Sequence, residues 1–160
     1  MPDDHGFPMH LEVTEVPSRR LAGVRHQGPY PQIAEAFLRL FPQADALGLS
    51  GVAGAVYVAV YYDDPRTTSE EALRSFAAVT VAEDAMIGDL EDARLPSGRY
   101  VRRAFFGAHS ELGEAWRHFN HQRDEEGCQT RDGVYFEMYL GQEDNAPPAR
   151  VRTDLYAPVA

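Results

Sequence analysis

The sequence predicts an α+β fold: a duplicated strand–helix–strand–strand unit giving about eight antiparallel strands, two helices on one face and a central groove on the other. Three observations lead there. First, the chain repeats itself. Ile33-Ala34-Glu35-Ala36-Phe37 lies over Leu112-Gly113-Glu114-Ala115-Trp116, and Gly28 over Gly107, at an offset of 79. Val56-Tyr57-Val58 lies over Val134-Tyr135-Phe136, Tyr61 over Tyr139 and Arg74-Ser75 over Arg152-Thr153, at an offset of 78. One slipped residue across some fifty positions marks a duplication. Second, each copy holds one apolar stripe of 3.6-residue period. Third, the remaining apolar runs alternate with the period of a strand, bounded by Pro, Gly and Asp. Helices and sheet then pack as two layers around a shared core.

In chain order, residues 1–9 read as a loose tail rich in Pro, Gly and Asp. Leu11 to Val16 alternates as a strand and stops at Pro17; Arg20 to His26 is a second, running into the breakers Gly28-Pro29-Tyr30-Pro31. Ile33, Phe37, Leu40 and Phe41 make the first helix stripe, which Pro42 is expected to kink or end and Gly48 to close. Val52 to Tyr62 reads as one long strand, Ser69 to Ala72 as a helical turn and Phe76 to Val81 as a strand. The second copy follows. Ile87 to Leu95 is a weaker strand ended by Pro96, and Tyr100 to Phe106 a stronger one. A helix follows with Ser110 as its expected N-cap, Leu112, Trp116 and Phe119 on its stripe, and Gly127 at its end. Val134 to Leu140, a loop with Pro147 and Pro148, and Leu155 to Val159 complete the chain. The domain is expected over residues 10–160, in halves of about 10–84 and 85–160.

Composition narrows the function classes. A chain of 160 residues with 44% apolar content is long enough for a real core. A net charge of −10 argues against direct nucleic-acid binding, which needs clustered Lys and Arg, and is compatible with a cationic ligand. The lone Cys128 permits no intrachain disulfide and no multi-cysteine zinc site. No apolar run reaches the ~20 residues that span a bilayer, and Met1 to Gly6 lacks the pattern of a signal peptide, so a cytoplasmic protein without a membrane partner is expected. Glu114, His118 and His121 share a helix face, but nothing else converges on them, and a solvated polar face is the expected reading; no metal and no cofactor are expected.

The candidate site lies on the strand Val134 to Leu140. Val134, Phe136, Met138 and Leu140 form one apolar face, and Tyr135, Glu137 and Tyr139 the other. The helices are expected to cover the apolar face, so that Glu137 and its two tyrosines point away from them. By the repeat, Tyr57, Ala59 and Tyr61 point the same way, and two half-sheets meeting along a pseudo-twofold seam would form a groove lined by these rings. Glu137 stands where the first copy has Ala59, an asymmetry a purely structural repeat does not need. Two readings stay open: a solvated surface acid, or the charged floor of an aromatic-walled pocket in which a desolvated carboxylate attracts a cation.

The ordered motifs Val24-Arg25-His26-Gln27-Gly28-Pro29-Tyr30, Tyr61-Tyr62-Asp63-Asp64-Pro65, Phe136-Glu137-Met138-Tyr139-Leu140 and Arg152-Thr153-Asp154-Leu155-Tyr156-Ala157-Pro158-Val159 resemble those of the GyrI-like small-molecule-binding domain family. This is the bacterial effector-binding domain found alone or fused to AraC- and MerR-type regulators. The resemblance covers residues 10–160 and implies a duplicated strand–helix–strand–strand unit. In multidrug-binding members a glutamate on the floor of an aromatic pocket pairs with lipophilic cations, and it maps onto Glu137. The implied function is capture of a lipophilic, cationic or aromatic small molecule with Glu137 as charge partner; Tyr139, Tyr135, Tyr57, Tyr61 and Tyr156 are the rings that together could wall the site, and Phe105 is a further candidate whose strand is partly apolar on both faces. Some stand-alone members are similar to DNA gyrase inhibitors, which would make gyrase or a regulator a protein partner. Others hydrolyse cyclopropane-bearing toxins, a toxin-resistance role in which Glu137 would be the catalytic acid–base group. The chain departs from the pattern at Gly107-Ala108-His109, where relatives often repeat Gly-Pro-Tyr. Fewer than ten residues precede the domain, so direct transcriptional regulation by this chain alone is not expected.

Overall fold

The structure, a computed structural model, describes residues 11–142 and 151–160. Within them lie β1 (Glu12–Val16), β2 (Arg19–Gln27), α1 (Ala34–Ala46), β3 (Tyr57–Tyr61), β4 (Arg74–Thr80), β5 (Glu91–Leu95), β6 (Gly98–Phe106), α2 (Leu112–Glu125), β7 (Tyr135–Gln142) and β8 (Val151–Pro158). Eight antiparallel strands and two helices make this the α+β fold the repeat implies. The tail before Leu11 and the loop around Pro147 and Pro148 lie outside the described residues.

The chain forms two compact units. Unit A is Pro17–Ser97, with α1 and strands in the order β5-β2-β4-β3. Unit B is Gly98–Ala160 together with β1, with α2 and strands in the order β1-β6-β8-β7. The units therefore differ from the sequential halves by exchange of their leading strands. The linkers explain this. β1 is followed by Pro17-Ser18 and β5 by Pro96-Ser97, and proline, fixed near φ −65°, cannot supply the positive φ that two-residue hairpins require. Neither strand folds back on its successor. β1 pairs with β6 from Glu12↔Arg102 to Val16↔Gly98, and β5 with β2 from Arg19↔Leu95 to Gly23↔Glu91.

In unit A, Ala36, Phe37, Leu40 and Ala44 form the buried stripe of α1. Gly23 of β2 is required where it stands: a Cβ there would lie 2.1 Å from the Ala77 carbonyl oxygen of β4. In unit B, Leu112, Ala115 and Phe119 of α2 pack on Val101 and Phe105 of β6 and on Leu155 and Ala157 of β8. Both helices close with the same cap. Gly48 and Gly127, at φ 72° and 69°, take the left-handed turn, and the amides of Leu49 and Cys128 reach back to the carbonyls of Ala44 and Arg123.

Of the two outcomes expected at Pro42, an end is excluded: it lies inside α1, which runs on to Ala46, and it removes the amide partner of the carbonyl of Leu38, an exposed residue. Two local expectations are corrected. The strand expected from Val52 begins only at Tyr57, because Gly48, Gly51 and Gly54 leave a turn-rich approach, with Gly54 at φ 84°. Ser110 is not an N-cap: His109–Glu111 form a 3-10 turn, and Glu111 caps it by accepting the Ala108 amide at 3.0 Å.

Candidate carboxylate site beneath α2

Strand register decides which face of β7 meets the helix. Glu137 is opposite Leu155, and Tyr139 opposite Thr153; across β8, Leu155 faces Arg103 and Thr153 faces Phe105. Leu155 and Phe105 belong to the cluster under α2, with Tyr135 and Tyr139 packed against it. The Tyr135/Glu137/Tyr139 face therefore points toward α2, the reverse of the orientation expected from the apolar pattern. The apolar face has a different cover. On that side Phe136 stacks on Tyr156 (4.4 Å, 13° between planes), Tyr100 packs edge-on to Phe136 at 5.1 Å, and the Arg131 guanidinium lies 4.8 Å above the Tyr100 ring. Cross-strand aromatic packing thus buries Phe136, while Leu140 on the same face is exposed.

Glu137 is only 3% exposed. Trp116 of α2 donates its indole N–H to Glu137 Oε2 at 2.6 Å, and Tyr139 donates its hydroxyl to Oε1 at 2.5 Å. Both donors are neutral aromatic groups; each bond to the carboxylate is charge-assisted and short. Around them, the Trp116 ring lies 5.5 Å from Phe119 and 6.2 Å from Tyr135, and the exposed imidazole of His109 lies 5.2 Å from the Tyr139 ring. One ring of this wall has a resident cation: the buried Arg123 guanidinium sits 5.5 Å over Tyr135 and 5.3 Å over Phe119 while donating to Asn120 at 2.5 Å. Arg103, whose pKa burial pushes down, donates to Gln122 of α2 at 2.7 Å.

Of the residues singled out from sequence, Glu137, Tyr135, Tyr139 and Phe105 come together under α2. Tyr156 does not join them. It lies on the opposite face in the Phe136 stack, its phenol pKa raised by burial and opposed by a hydrogen bond with Arg102. Tyr57 and Tyr61 belong to unit A. Tyr57 meets Phe41 edge-on at 5.0 Å and Phe37 at 6.4 Å, and Tyr61 lies 4.6 Å from Tyr30. Ala59 between them is fully buried, so unit A has the rings without the acid. Two residues beside Glu137 and Tyr139 were given no site role from the sequence: Trp116, placed on the helix stripe, and His109, noted only as a departure from the Gly-Pro-Tyr pattern. The signal for both was the repeat, which sets Trp116 over Phe37 and His109 over Tyr30. Glu114 and His121, considered as metal ligands, are engaged elsewhere, Glu114 with Arg117 and His121 with Glu125 at 3.4 Å. Arg74 and Arg152 pair with Asp63 and Asp154, as repeated loop-end arginines should.

The model of the GyrI-like small-molecule-binding domain matches this chain over residues 9–160. The chain belongs to that family. A DNA gyrase inhibitor from Edwardsiella piscicida is 29% identical, the match covering 82% of this chain and 87% of the relative. Among solved structures, SAV2435 bound to tetraphenylphosphonium is similar in fold, with a TM-score of 0.73, 18% identity and coverage of 95% and 94% of the two chains. A hydrolase encoded by lin2189 from Listeria innocua has a TM-score of 0.63, 15% identity and coverage of 98% and 94%. In this GyrI-like domain no helix among the described residues is long and apolar enough to cross a membrane.

Proposed function

We propose that the protein captures a lipophilic organic cation, with Glu137 as the charge partner and Trp116, Tyr139 and their neighbours as the aromatic enclosure. The observation that carries this reading is the burial of Glu137 behind two neutral donors, Trp116 N–H and Tyr139 O–H. A carboxylate held in a low-dielectric surrounding attracts a cation more strongly than one in water does, and indole and phenol faces add about 0.5–2 kcal/mol per contact. The tetraphenylphosphonium found with a structural neighbour is a cation of this class. Because Trp116 is the only tryptophan and its N–H is bonded to the carboxylate, ligand entry should alter its fluorescence. Titration with tetraphenylphosphonium, beside neutral triphenylphosphine oxide, tests the reading. Saturable change with the cation and much weaker change with the neutral compound is expected; equal response to both, or none, rejects it.

A second reading is inhibition of DNA gyrase by protein contact, favoured by the name of the relative and by the net charge of −10, which suits a basic partner surface. A supercoiling assay separates the two: inhibition by a Glu137→Gln variant equal to that of the parent would assign it to a surface other than this site. The hydrolase reading, in which Glu137 activates water, has the fold of the Listeria innocua hydrolase as its support, and turnover of a strained electrophile would establish it.

A further inference from the structure

The duplication supplies an internal control: what the two units share is scaffold, and what one unit alone has changed marks function. At the position beside β3 or β7 the units share one geometry. In unit A the Tyr30 ring lies 4.6 Å from Tyr61 at 53°, and in unit B the His109 ring lies 5.2 Å from Tyr139 at 54°. The units also share a buried hydroxyl, Ser75 beside Tyr61 and Thr153 beside Tyr139. Being common to both, that hydroxyl belongs to the frame.

The rings differ in what holds them. Tyr30 is locked: its hydroxyl donates to the Asp63 carbonyl at 2.7 Å and accepts the Asp63 amide at 3.0 Å. An imidazole has no hydroxyl to enter such a lock. In unit B, moreover, the strand leaves the course of its counterpart just past Tyr139, where the pairing with β8 shifts register and Gly141 takes φ 80°. Among the described residues the His109 ring makes no hydrogen bond, and it is exposed while Tyr30 is half-buried. This loss of anchorage falls in the unit that gains Glu137 in place of Ala59 and Trp116 in place of Phe37. Three departures from the repeat thus gather around one carboxylate, linked in a line from His109 through the Tyr139 ring to Glu137.

We infer that His109 is a ligand-contacting residue of the Glu137 site, the outer aromatic wall that closes over a bound organic cation. This rests on the cation-binding reading above. An imidazole face adds a ring to the enclosure; a fixed positive charge at the same place would repel the ligand while leaving a neutral compound indifferent. The acids that follow it in the chain are Glu111, which accepts the Ala108 amide, and Glu114, paired with Arg117.

The test compares His109→Ala, His109→Phe and His109→Arg with the parent, using tetraphenylphosphonium and triphenylphosphine oxide as probes. His109→Ala should weaken cation binding about 3- to 10-fold, in line with loss of one ring contact. His109→Phe should restore it to within about twofold. His109→Arg should weaken cation binding about tenfold or more, with the neutral compound within about threefold of the parent. Thermal midpoints of all three should match the parent, whereas Tyr30→Phe, which unlocks the structural counterpart, should lower the midpoint. Cation binding that Glu137→Gln abolishes but the His109 variants leave unchanged overturns this inference alone. A parent that binds no cation removes the functional reading and this one with it. Equal loss for both probes would make His109 a packing residue.

Discussion

Replacing Glu137 by glutamine tests the site most sharply, because the geometry states which hydrogen bonds survive. Trp116 Nε1 can only donate, so the amide oxygen of the introduced side chain must turn toward it and occupy the place of Oε2. The amide nitrogen then faces Tyr139, whose hydroxyl must change from donor to acceptor. Both contacts persist in neutral form, and the charge assistance they lose is on the order of 1 kcal/mol. Relief of the buried charge offsets part of that. Cation binding is a different matter. A positive centre about 5 Å from the carboxylate at an effective dielectric near 20 gains roughly 3 kcal/mol, about two orders of magnitude in affinity. Calorimetric titration with tetraphenylphosphonium should therefore show about a 100-fold loss for the variant, while its thermal midpoint moves by no more than about 4 °C. A variant that binds within threefold of the parent would show that the carboxylate does not face the ligand. A variant that fails to fold would show that the anion is structural.

Three further outcomes follow from the same geometry. Trp116→Phe leaves a buried carboxylate oxygen without its indole donor, at about 1–3 kcal/mol, so the thermal midpoint should fall by roughly 3–10 °C; an unchanged midpoint would mean the bond contributes nothing. Gly23→Ala drives a methyl into the Ala77 carbonyl and should lower stability in urea by about 3 kcal/mol or more through backbone displacement, whereas Gly51→Ala, with open space around its Cβ, should change it little. Asp63 is held below the usual carboxylate range by its hydrogen bonds from Arg74, so its stabilising contribution is complete at neutral pH and fades as pH falls through the lowered folded value. The gap in urea midpoint between the parent and Asp63→Asn should accordingly be widest near pH 7 and close in strong acid; a gap that widens on acidification would reverse the assigned sign.

The element pattern was legible because it depends on local chemistry. The helix stripe at Ile33, Phe37 and Leu40 and the glycine caps at Gly48 and Gly127 follow from neighbours a few residues away or from the repeat. Glu137 stood out for the same reason, as an acid where the first copy has alanine. Its burial and its indole partner did not, since Trp116 is 21 residues distant and looked like packing. Pro42 did not end α1, and Gly48 marks the stop instead.

That two copies of one α+β unit make this protein, that they are unequal, and that the inequality centres on Glu137 can all be read from the order of residues. Which side of β7 meets α2, and so whether the acid is roofed by a helix or turned from it, cannot. Period-2 alternation divides a strand into two faces but says nothing of what covers each. Here one face meets Trp116 and Phe119 of α2, and on the other Phe136 packs with Tyr100 and Tyr156. The choice between covers is made by cross-strand register, a contact between residues far apart in the chain that no local pattern encodes.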